Sequence, residues 1–104
     1  MSNLSADPIY PAIEKSKAAW QECVVICDSE PPLGASDYGA WHEHEEKVAC
    51  EFEEAFQAML ATQPTTRLGA LALIDVFLET ESATLDDECL ALMERLRGFL
   101  RTTA

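Results

Sequence analysis

Apolar residues recur at three- and four-residue intervals in four separate runs of this chain, and the stretches between the runs collect Pro, Gly, Ser, Thr and Asp. Such spacing predicts amphipathic helices and no strands. Asp7-Pro8 reads as an N-cap followed by proline at the first helical position. Beyond it Ile9, Ile13, Trp20, Val24 and Cys27 fall within one narrow arc, with Glu14, Lys15, Gln21 and Glu22 opposite. A first helix over about 8–28 is expected. Ser29-Glu30-Pro31-Pro32-Leu33-Gly34-Ala35-Ser36 breaks the pattern, because paired prolines cannot continue a helix and Gly34 supplies turn freedom.

Ser36 or Asp37 then caps a second helix over about 37–62, with Trp41, Val48, Phe52, Phe56 and Met59 on its apolar arc. Glu43, Glu46, Lys47, Glu51, Glu53 and Glu54 lie on its outer side. Gln63-Pro64-Thr65-Thr66 ends that helix, and one threonine caps a third over about 66–81. The third helix differs in kind: Leu71, Leu73, Ile74, Val76, Phe77 and Leu78 spread around most of its circumference. A helix apolar on so many sides needs partners on more than one. Leu73, Ile74 and Phe77 are therefore the candidate interface residues, and self-association as a homodimer is expected.

Thr84-Leu85-Asp86-Asp87 resembles a capping box, opening a fourth helix over about 85–101. Leu85, Cys89, Leu92, Met93, Leu96, Phe99 and Leu100 share one face of it. Acidic residues fill its first turn and Arg95, Arg97 and Arg101 its later turns, both complementing the helix dipole. Short connections make the expected fold a small antiparallel four-helix bundle, one all-α domain over 1–104 with residues 1–6 as a disordered tail.

Charge narrows the partners. Nineteen Asp and Glu against seven Lys and Arg leave a formal charge of −12, which repels phosphate backbones and anionic lipid. Nucleic acid and membrane are excluded as partners, and a basic protein is admitted. Residues 1–6 carry no basic residue and no apolar run, so no secretory signal is read there. The apolar stretch 68–78 is broken by Asp75 and too short to span a bilayer. A cytoplasmic location with reduced thiols is expected.

Candidate chemistry is sparse. Cys23 and Cys27 stand one turn apart and could face one metal ion, yet Cys27 and Cys89 fall at the centres of apolar arcs, where a thiol packs like a small hydrophobe. The run Trp41-His42-Glu43-His44-Glu45-Glu46 offers His42, His44, Glu45, Glu46 and, one turn on, Cys50 as metal candidates. Two-residue spacing points His42 and His44 to different faces, and neither Glu-x-x-His nor His-Glu-x-x-His occurs. Glu45 projects into an apolar arc, where a carboxylate must be paired, protonated or bent out to water. No nucleophile elbow or Gly-rich phosphate loop is present, and Gly69 and Gly98, single glycines within helices, mark close packing. No cofactor or catalytic residue is assigned.

Asp7-Pro8-Ile9 and the segment Pro64-Thr65-Thr66-Arg67-Leu68-Gly69 resemble a group of short helical proteins of alpha-proteobacteria, with Pro-Thr-Thr-x-x-Gly as the specific part. The resemblance implies a bacterial cytoplasmic protein of mobile-element or accessory type and carries over no known activity. The expectation from the sequence is a non-enzymatic protein-interaction module. The alternatives are a metal- or small-ligand-binding bundle using the 42–46 cluster, and an acidic inhibitor of a basic protein.

Overall fold

The computed structural model describes residues 7–81 and 84–102; the expected tail at 1–6 lies outside the described residues. They form four α-helices and, among the described residues, no strand: α1 (Ile9–Asp28), α2 (Tyr38–Ala61), α3 (Arg67–Glu81) and α4 (Asp87–Thr102). The chain divides into two compact units, one comprising Met1–Tyr10 with Thr62–Ala104, the other Pro11–Ala61.

In the second unit, α1 and α2 meet along contacts that step in opposite directions on the two helices. The Trp20 and Phe52 rings lie 5.2 Å apart, the Cys23 thiol is 3.6 Å from the Val48 carbonyl oxygen, and Trp41 Nε1 donates to the Ile26 carbonyl at 2.9 Å. Phe52 stacks on Phe56 in turn. Ile13, Val48, Ala55, Phe56 and Met59 are buried, at the helical intervals that the apolar arcs predict. Truncating fully buried Met59 to alanine is expected to cost about 2–5 kcal/mol. The intervening loop turns at Gly34, whose φ of 87° is ordinarily left to glycine.

In the first unit, Asp7 and Thr66 fix the starts of α1 and α3. Asp7 caps α1 by accepting the Ile9 amide at 3.0 Å on Oδ1. Its other oxygen, Oδ2, accepts the Thr66 amide at 3.0 Å and the Thr66 hydroxyl at 2.6 Å. Thr66 in turn caps α3, its hydroxyl accepting the Gly69 amide at 2.9 Å. Gly69 is buried because the Asp7 carboxylate lies where a Cβ would be, with Ile9 Cγ2 only 2.9 Å from that position. Pro-Thr-Thr-x-x-Gly is therefore a docking surface for Asp7-Pro8-Ile9.

Along α3 and α4, Asp75 pairs with Arg97 at 3.4 Å and Arg101 at 3.3 Å, while the Arg67 guanidinium donates to the Leu100 carbonyl. The cap of α4 differs from expectation. Asp86, not Thr84, accepts the Cys89 amide at 2.8 Å, and the Thr84 hydroxyl is spent on the Glu81 carbonyl and carboxylate. The helix consequently begins at Asp87, two residues later than its apolar pattern suggests. Gly98 also departs from expectation, since nothing lies within 4 Å of the position its Cβ would take.

Candidate functional site

Asp7 is 1% exposed, and buried carboxylates with perturbed acidity gather at functional sites. Burial pushes this carboxyl up, but hydrogen bonds from the Thr66 hydroxyl and from the backbone of Ile9, Thr65 and Thr66 outweigh it and hold the group below its ordinary value of 3.8. A carboxylate that strongly bound is a structural anion at two helix starts and a poor proton acceptor.

The histidine cluster disperses. His42 reaches Glu46 at 3.1 Å and Glu45 at 3.6 Å on one side of α2 and stacks against Tyr38. Glu45, expected on the apolar arc, is half-buried and bends toward His42. His44 lies on another face, lining a groove of about 400 Å³ with Ala18, Gln21, Glu22, Val25, Ile26 and Val48. Cys50 is exposed. Among the described residues no three His, Cys, Asp or Glu side chains are grouped to hold a metal ion.

The cysteines also depart from expectation. All four are free thiols; Cys27, Cys50 and Cys89 are exposed and only Cys23 is half-buried. An apolar arc spans more of a helix than its neighbour can cover, and Cys27 and Cys89 sit on the uncovered side. Burial pushes the Cys23 thiol up, with Cys27 and nearby glutamates adding to it. The Asp86 carboxylate, through its hydrogen bond and its charge, does the same to Cys89. Both thiols are held in their less nucleophilic form.

Exposed apolar surface is the remaining candidate. Leu73, Ile74 and Phe77 are each half-buried on α3. The more exposed residues lie on α4: Leu92 at 48%, Leu96 at 45% and Phe99 at 64%, joined by exposed Cys89. Positions 89, 92, 96 and 99 follow a 3-4-3 spacing, which aligns them in one seam. Leu90, Met93, Arg97 and Leu100 are half-buried and form a separate 3-4-3 line. Of the seven apolar residues that read as one face, Cys89, Leu92, Leu96 and Phe99 are exposed and Leu85, Met93 and Leu100 half-buried, and nothing in their spacing says which are covered. A groove of about 510 Å³ runs beside the seam, lined by Glu88, Cys89, Ala91, Leu92 and Arg95.

No family model, no curated protein and no solved structure matches this chain. No helix among the described residues is long and apolar enough to cross a membrane.

Proposed function

We propose that this chain is a non-enzymatic, helical protein-interaction module that works by contact and self-associates. The observation that carries this reading is the exposed 89–92–96–99 seam of α4. Large apolar side chains aligned at heptad spacing are a recurrent form of helix–helix recognition surface. Leu68, 59% exposed at the start of α3, adds apolar surface to the same unit. The free thiols support a reducing compartment, in keeping with a cytoplasmic protein.

Light scattering coupled to size exclusion tests the reading on the full chain, loaded from about 10 to 500 μM, the range in which small interfaces populate. A mass that climbs from one chain toward two supports it. A single-chain mass throughout removes self-association. The exposed glutamates of α2 favour a second reading, an acidic surface for a basic protein. That interaction would fall away at high salt, whereas association through an apolar seam would persist.

A further inference from the structure

We propose that Cys23 and Cys27 form a two-thiolate site for a soft monovalent cation of the copper(I) class on one side of α1. Positions 23 and 27 are one helical turn apart, so their side chains stand one above the other with Cβ atoms about 5–6 Å apart. Both thiols line the same cavity of about 300 Å³, together with Trp20, Val24 and Asp28. Two metal–sulfur bonds of about 2.3 Å span roughly 4.6 Å, so one ion bridges the pair without a change in the helix. A thiol that only packs as a small hydrophobe would be covered, and Cys27 is exposed. Cys23 is half-buried beside it, and its 3.6 Å contact with the Val48 carbonyl is a weak sulfur hydrogen bond that costs little to exchange.

The surroundings and the ligand count select the ion. The charges that push the Cys23 thiol up come from both helices: Cys27 and Glu22 on α1, Glu45 and Glu51 on α2. Two thiolates among those anions are costly alone, and a cation held between them relieves the repulsion. Among the described residues no three His, Cys, Asp or Glu are grouped to hold a metal ion, whereas a structural zinc site takes four ligands. Thiolates are soft donors, and copper(I) is a soft ion that two of them satisfy. On binding, each thiol releases its proton to solvent and two sulfur–copper bonds form; no electron is transferred.

Anaerobic titration of the full chain with copper(I), in competition with the indicator bicinchoninate, tests the site. C50S/C89S, which leaves only the pair, is expected to withdraw one copper per chain from the indicator. Adding C27S is expected to lower the affinity by more than about a hundredfold, beyond what loss of a merely supporting residue costs. Cys27 is exposed, so this substitution should leave helix content unchanged by circular dichroism, and C23S added in its place should give the same loss. Tryptophan emission should fall with the first equivalent of copper in C50S/C89S and much less in C50S/C89S/W20F, because Trp20 walls the cavity. Failure of C50S/C89S to take up copper, or equal uptake once C27S is added, overturns the proposal. So does uptake of one copper per two chains, the mark of an ion shared between the exposed Cys27 of two copies.

Discussion

The Oδ2 atom of Asp7 lies 2.6 Å from the hydroxyl of Thr66, fifty-nine residues away, and the two residues cap different helices. One carboxylate thus closes the start of α1 with one oxygen and anchors the cap of α3 with the other. Removing the Thr66 hydroxyl deletes a cap and strips a buried carboxylate of its shortest bond. T66V is expected to lose about 1–3 kcal/mol of stability in urea unfolding, more than an isolated cap would. T66S, which keeps the hydroxyl, should lose much less.

The same clasp sets a pH dependence. The Asp7 carboxyl is held below its ordinary 3.8 by donors that exist only in the folded chain, so the stability it confers is fully present above that value. It is lost as pH falls through the lower folded value. Thermal unfolding followed by circular dichroism should show Tm falling steeply below pH 3.8 in the wild type. In D7N the fall should be shallower, from a Tm already lower at pH 7.

Two glycines should respond oppositely to alanine. At Gly69 a methyl group would overlap the Asp7 carboxylate and press on Ile9, and neither can retreat because both are buried and Asp7 is bonded on three sides. G69A is expected to cost about 1–3 kcal/mol. At Gly98 the helix is open, so G98A should gain about 0.5–1 kcal/mol from helix propensity alone, or roughly 4–8 °C in Tm per kcal/mol for a chain of this size. Differential scanning calorimetry reads both.

At the start of α4, Asp86 accepts the Cys89 amide and its carboxylate raises the Cys89 thiol. D86N keeps a capping side chain but removes the charge, so Cys89 should alkylate several-fold faster with iodoacetamide at pH 7.5 while helix content stays unchanged. Peptide mass mapping distinguishes it from the other thiols. T84A should alter neither the rate nor the helix.

Much of this architecture was legible in the sequence because helix signals are local. The bounds of α1, α2 and α3 follow from Asp7-Pro8, the Pro31-Pro32 break and Pro64-Thr65-Thr66, each acting within a turn of the helix it punctuates. Legibility fails where a residue serves two partners. Asp7 reads as a cap from one of its oxygens, while the bond from the other depends on where Thr66 arrives in space. At α4 the sequence pattern puts the cap at Thr84, but Glu81 takes that hydroxyl and Asp86 caps the helix instead. The division of the α4 apolar face is the same kind of failure. Cys89 and Met93 are equally apolar and four residues apart, and only the packed structure shows Cys89 exposed and Met93 half-buried. The metal reading of 42–46 came from the run of ligand-type residues alone, and the helical wheel already sent His42 and His44 apart.

Sedimentation equilibrium of the wild-type chain beside L92E/L96E tests most directly whether the seam is an interaction surface. Both leucines are nearly half exposed, so the double variant should retain the wild-type helix content. The wild type is expected to show a weight-average mass that rises with concentration toward two chains, and the variant to stay at one. A wild type fixed at a single-chain mass, or a variant that associates as readily as the wild type, would contradict it.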